Sequence, residues 1–267
     1  MSPADQTTSA GTAETPLRVW LEADGALLRL RLARPKANLI DAAMIAALDA
    51  ALAAHRDHAG LLGVLLDAEG PHFSFGASVE EHLAAQCAAM LAALHGLVFR
   101  MIDFPAPILV AIRGQCLGGG LEVAMAAGML FAAPDAKFGQ PEIRLGVFAP
   151  AASVLLPERV GQIAAEDLLL SGRSIDAREA RTIGLVAAVA DDPAEAALAW
   201  FSANLAGKSA ASVRYALRAA RGEYAPRVRQ GIARVERLYL EELMTGHDAN
   251  EGLDAFLAKR PAVWKHA

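Results

Sequence analysis

The spacing of apolar residues changes several times along the chain, and each change marks an element. Residues 17–21 and 26–32 are rich in Leu, Val and Trp and flank Asp24-Gly25, a dipeptide suited to a hairpin turn. Pro35 ends that pairing. Asp41 then stands where an N-cap belongs, ahead of Met44, Ile45, Leu48, Ala51 and Leu52, which share one helical face. Residues 61–66 form an unbroken apolar run closed by Asp67, the pattern of a strand buried on both faces. The glycine-bearing loop HFSFGASVEEH follows, and a long helix is predicted from residue 79 or 80 to 102. Pro105 and Pro107 stop it, and residues 108–112 read as another buried strand. GQCLGGGLEVAMAAG, residues 114–128, reads as a tight turn feeding a helix. Residues 129–133 are strand-like, as is the short stretch at Phe138. Helical spacing returns at 163–170 and 176–183, with a strand pattern over 185–190. From Pro193 onward the pattern is helical, broken at Gly207, Gly222, Pro226 and Gly246.

Strands alternating with helices predict an α/β fold with a mainly parallel sheet. The last quarter is expected as a separate helical layer. Three regions follow: a small-residue polar tail over 1–16, a core over 17–192 and a helical region over 193–267. No internal repeat is visible. The tail has neither the basic start nor the apolar block of a secretory signal. It has no Arg and carries Asp5 and Glu14, unlike a mitochondrial presequence, so a cytoplasmic location is expected.

Composition narrows the function classes. The 267 residues are 54% hydrophobic and carry a net charge of only −5, which excludes extensive disorder. No run of about 18 apolar residues escapes a Gly, Pro or charge, so no membrane span is expected. A pI near 5.8 speaks against a nucleic-acid partner. Two cysteines, Cys87 and Cys116, are too few for a disulfide scaffold and suit a core of reduced thiols. His55 and His58 lie one helical turn apart but have no third ligand nearby, so no metal is expected. The stretch from Tyr239 to Met244 reads as a core or interface helix.

The glycines at 114, 118, 119 and 120 match neither the dinucleotide fingerprint nor a phosphate-binding loop, and no nucleophile elbow occurs. A Gly triplet between a buried strand and a helix lets a ligand approach the backbone, where helix N-terminal amides favour negative charge. Phe75-Gly76-Ala77 is a second such turn, and two converging amides are what a developing enolate oxygen needs. Glu122 lies among Leu121, Val123, Ala124 and Met125, and Glu142 lies near Phe138, Ile143 and Leu145. Carboxylates in apolar company are the ingredients of paired acid–base catalysis. The residues alone leave two readings open: that chemistry, or tight helix–strand packing with both glutamates in structural ion pairs.

FSFGASVEEH, GQCLGGGLEVAMAAG and AAPDAKFGQPEIRLGVF together resemble the crotonase superfamily, the enoyl-CoA hydratases and isomerases, from about residue 17 to the end. The resemblance implies the crotonase ββα superhelix with C-terminal helices that pack subunits into a homotrimer or a dimer of trimers. It implies an acyl-CoA thioester substrate, with CoA entering only as part of it, and no metal or organic cofactor. It carries the oxyanion amides to Ala77 and Gly119 and the two hydratase glutamates to Glu122 and Glu142. Arg34 and Lys36 are expected near the CoA nucleotide, with Phe75, Gly76, Phe148 and Ala151 around the acyl group. Two departures stand out: Ser78 replaces the family's usual Asp, and residues 148–153 replace a Gly-rich turn. GQCLGGGLEVA with KFGQPEIRLGVFAPAAS is most similar to members that hydrate a conjugated cyclic dienoyl-CoA. The expected reaction converts cyclohexa-1,5-diene-1-carbonyl-CoA to 6-hydroxycyclohex-1-ene-1-carbonyl-CoA in anaerobic benzoyl-CoA degradation. Hydration of straight-chain enoyl-CoA, or isomerisation, is the alternative.

Overall fold

A computed structural model describes residues 15–267, so most of the expected tail lies outside the described residues. The hairpin forms as β1 (Leu17–Glu22) and β2 (Leu27–Leu32), antiparallel, with Leu17 opposite Leu32. Asp41 caps α1 (Ala42–His55), its side chain accepting the Met44 N–H at 2.9 Å. The chain continues through β3 (Gly63–Ala68), α2 (Cys87–Ile102), β4 (Ile108–Ile112), β5 (Gln115–Leu117) and α3 (Gly119–Ala126). Then come β6 (Met129–Ala132), β7 (Lys137–Gly139), α4 (Pro150–Val160), α5 (Gln162–Ser171), β8 (Ser174–Asp176), α6 (Ala177–Thr182) and β9 (Ala188–Val189). Four helices close the chain: α7 (Pro193–Asn204), α8 (Ala210–Ala220), α9 (Tyr224–Arg237) and α10 (His247–Leu257).

The main sheet has the order β1-β2-β3-β4-β6-β9 and is parallel from β2 onward. The unbroken apolar runs follow from burial on both faces. Leu28, Leu30, Val64, Leu66, Ile108, Val110 and Ile112 join one core with α1, α2, α3 and α4. The alternate residues Leu27, Leu65, Leu109 and Phe131 face Ala197 and Phe201 of α7. The helical last quarter therefore supplies one covering layer of the sheet itself. A smaller sheet, β5-β7-β8, carries the Gly118-Gly119-Gly120 turn at the end of β5, and Ser74, in the loop after β3, bridges to its Cys116. No helix among the described residues is long and apolar enough to cross a membrane.

Four expectations need correction. The helix read from residue 79 or 80 begins at Cys87, after a 3-10 turn at Glu80–His82. There Ser78 hydrogen-bonds Glu80 at 2.8 Å, and the His82 ring bonds the Ser78 carbonyl at 2.7 Å, local bonds that compete with helix. Residues 115–117, read as turn, form β5 because Cys116 and its neighbours pair with β7. The stretch 150–153, read as an altered turn, opens α4, with Pro150 in the first helical turn, where its missing N–H costs nothing. Pro226 does not break a helix either; it sits in the first turn of α9.

Candidate active site

The loop after β3 is pinned from three sides. Phe75 N–H donates to Ala37 O, the Ser74 hydroxyl accepts the Gly76 N–H, and Gly76 O accepts the Ile40 N–H, at 2.9–3.1 Å. Gly76 has φ +108°, a conformation that favours glycine, and it lays the loop on the N-terminal end of α3. Gly118, at φ +48°, turns β5 into that helix. A Cβ on Gly119 would lie 3.1 Å from both the amide nitrogen and the Cβ of Ala77. The backbones of Ala77 and Gly119 are thus side by side, and neither N–H has an acceptor among the described residues. That is the arrangement the sequence pointed to for a negative oxygen.

Glu122 follows on the first turn of α3 and is only 3% exposed. Its Oε1 accepts the Ala152 N–H at 2.8 Å, so the N-terminal turn of α4 points at it. Burial raises its pKa; the backbone amides of Ala152 and Ala151 and a positive charge on His95 pull the other way. Glu142 lies on the 3-10 turn Pro141–Leu145 between β7 and α4 and is half-buried. Desolvation first, and the negative charge of Glu122 second, push its pKa up to about 8. Its Oε1 hangs over Gly118, where a Cβ would sit only 2.4 Å away. Two carboxyl groups and two unpaired amides therefore meet at one helix N-terminus, one carboxyl held largely protonated at neutral pH.

A cavity of about 70 Å³ opens there, walled by Phe75, Gly76, Ala77, Val79, His82, Gly118, Pro141, Glu142, Leu145 and Val147. A larger cleft of about 630 Å³ lies elsewhere, between the end of α2 and α8. Its arginines are engaged: Arg214 bonds His58 O and Ala59 O, and Arg221 bonds Ile102 O. Chemistry rather than volume marks the site.

The structure brings together Phe75, Gly76, Ala77, Gly119, Glu122 and Glu142. Phe75 is 43% exposed on the rim, its ring edge-on to His72 at 4.9 Å. Phe148 stands behind the cavity wall, against Tyr239. Ala151 is fully buried in the core; its side chain does not reach the cavity, and it contributes through its backbone near Glu122. Arg34 and Lys36 are exposed and away from the cavity wall, with Arg34 paired to Asp41 at 2.6 Å. Three further residues bear on the site. With its amide oriented to donate, buried Gln140 hydrogen-bonds Glu142 at 3.1 and 3.3 Å. His82 lines the cavity, and burial lowers its pKa. His95 on α2 is 2% exposed and pairs through Nδ1 with Glu236 on α9. Gln140, inside FGQPE, and His82, closing FSFGASVEEH, lie within quoted motifs; His95 reaches the site through packing.

The model of the enoyl-CoA hydratase/isomerase family matches residues 22–267. The chain belongs to that family. It is 67% identical over 254 residues to cyclohexa-1,5-dienecarbonyl-CoA hydratase of Thauera aromatica, covering 95% of this chain and 98% of that protein. A probable enoyl-CoA hydratase of Bacillus subtilis is 36% identical over 248 residues, 88% of this chain and 94% of the relative. An enoyl-CoA hydratase/isomerase structure from Pseudoalteromonas atlantica superposes with a TM-score of 0.80 at 30% identity, covering 93% and 99% of the two chains. As a member of the enoyl-CoA hydratase/isomerase family with these relatives, the chain has the crotonase fold.

Proposed function

We propose that this family member hydrates cyclohexa-1,5-diene-1-carbonyl-CoA to 6-hydroxycyclohex-1-ene-1-carbonyl-CoA. The observation that carries the reading is the pair Glu122 and Glu142 set against the free amides of Ala77 and Gly119. The Thauera relative's name and its near full-length identity support the choice of substrate.

In this reading the thioester carbonyl oxygen accepts the Ala77 and Gly119 N–H groups. Water attacks ring carbon 2, the β-carbon, while one carboxylate takes its proton. The electrons move through carbon 1 onto the thioester oxygen. Because a second double bond is conjugated, the resulting dienolate extends to ring carbon 5, across the ring from the new hydroxyl. A proton added there leaves one double bond beside the thioester, which is the named product. Glu122, bonded to the Ala152 amide, is the base. Glu142, largely protonated below about pH 8, is the acid that serves carbon 5. Two amides aimed at the dienolate oxygen contribute about 3 kcal/mol each to the barrier reduction.

The addition is redox-neutral and calls on no metal or organic cofactor; CoA enters only as part of the substrate. Arg34 and Lys36 are assigned to the CoA phosphates, and the C-terminal helices to assembly as a homotrimer or a dimer of trimers in the cytoplasm. The test is incubation with the cyclic dienoyl-CoA and, separately, crotonyl-CoA, with gain of one water followed by mass spectrometry. Fast hydration of the ring and slow hydration of crotonyl-CoA is expected. The reverse order makes the chain a straight-chain hydratase, and reaction with neither overturns the proposal.

A further inference from the structure

After α9 the backbone widens instead of continuing as an α-helix. Leu238–Glu242 forms one π-helical turn before the short 3-10 turn Leu243–Thr245. Such a turn re-aims the side chains around it and is frequent at functional sites. Here it sends Tyr239 inward until the residue is 0% exposed.

Tyr239 packs directly behind the wall of the site cavity. Its ring meets Phe148 edge-on at 5.2 Å, and it packs in one cluster with Val147, Leu145 and Val79, which wall the cavity. A buried phenol normally has a hydrogen-bond partner. Among the described residues the Tyr239 hydroxyl has no oxygen or nitrogen partner; its one polar neighbour is the thiol of Cys87, a weak acceptor. Burial first, and the Cys87 thiol beside it, raise the phenol's pKa, so it stays protonated and is a donor.

The ring chemistry supplies what this donor lacks. In straight-chain hydration the proton goes to the α-carbon next to the attacked one, so both carboxyl groups can flank the same water. In the cyclic diene the acid must serve ring carbon 5, which leaves the attacking oxygen with one carboxylate. We propose that the Tyr239 hydroxyl is a third polar group of the reaction site, donating a hydrogen bond to the oxygen that adds to the ring. It holds that oxygen first as water and then as the product hydroxyl, while Glu122 takes the water's proton. The inference rests on the dienoyl-CoA hydratase reading above.

The experiment compares wild type with Tyr239→Phe on cyclohexa-1,5-diene-1-carbonyl-CoA, measuring kcat, KM and Tm on the same preparations. The expected result is a kcat lower by about 10- to 100-fold, the loss of one hydrogen bond to a reacting oxygen, with KM changed less than about twofold. Tm stays equal or rises, because the variant removes a hydroxyl that the resting protein leaves unpaired. The dehydration of the hydroxylated thioester slows by the same factor. A variant as fast as wild type overturns the role of Tyr239 and leaves the hydratase reading intact. A rate loss accompanied by a Tm drop of several degrees assigns the residue to packing and also overturns it. A wild type inactive on the diene overturns the reading on which the inference rests, and the inference with it.

Discussion

Glu142→Gln separates the electrostatics of the site from its shape. The free carboxyl titrates near 4.5, whereas burial beside Glu122 holds it at about 8 in the fold. Between those two values the folded state keeps a proton that the unfolded chain has released. Stability therefore falls as pH rises, by up to about 1.4 kcal/mol per pH unit. The contribution is complete below the unfolded value and lost once pH passes about 8. Glutamine keeps the shape and cannot titrate. Urea unfolding of both proteins at one protein concentration, at steps from pH 5 to pH 8, isolates this group. The lowered pKa of His82 tilts stability the opposite way in both proteins and cancels in the difference. Across that range the difference is expected to move toward the variant by up to about 4 kcal/mol, less whatever part of the titration Glu122 shares. A difference that stays flat refutes the claim that Glu142 is the protonated partner. The same variant is expected to lose about 10²- to 10⁴-fold in kcat, and the alkaline decline expected of wild type near pH 8 should be absent from its profile.

Three other changes probe the framework. Glu122→Gln keeps an oxygen for the Ala152 amide and removes the base, so kcat falls about 10²- to 10⁴-fold while calorimetry shows product thioester still binding. Gly118→Ala combines φ +48° with a Cβ only 2.4 Å from Glu142 Oε1. It costs about 1–2 kcal/mol in urea unfolding and displaces the carboxyl, lowering kcat at least about 100-fold. Gly252→Ala would set a Cβ 2.0 Å from Leu145 O, forcing α10 away from the turn that carries Glu142. About 1–3 kcal/mol of stability is lost, together with activity, although residue 252 is on the C-terminal helix; an unchanged kcat refutes that coupling.

The sequence disclosed what is local. Asp24-Gly25 and the runs at 61–66 and 108–112 announced the hairpin and the doubly covered parallel sheet, because a strand with helices on both faces has no polar side to show. The geometry of the candidate site was legible for the same reason: Gly76, the Gly118-Gly119-Gly120 turn and Glu122 are held within short segments whose backbone demands appear as glycines. α4 was missed because its proline and alanines resemble a turn when nothing shows that Leu155 and Leu156 are buried. β5 was missed because three residues carry no periodicity; pairing with β7 makes the strand.

What no local pattern discloses is the proposed division of labour between the two glutamates. Both sit in apolar sequence, and both have raised pKa values. Their difference comes from distant elements. Glu122 receives a backbone amide from α4 and faces the His95–Glu236 pair, which joins α2 to α9. Glu142 receives Gln140, feels the charge of Glu122, and rides on a turn braced by α10, where Gly252 lets two backbones touch. The same C-terminal stretch delivers Tyr239 to a buried position behind the cavity wall. The last quarter of the chain, which reads as a plain run of helices, thus bears on the electrostatics of a site whose named motifs all end by residue 153. In the proposed mechanism tertiary packing assigns acid and base, and a swap of the helices after α7 between family members should carry substrate preference with it.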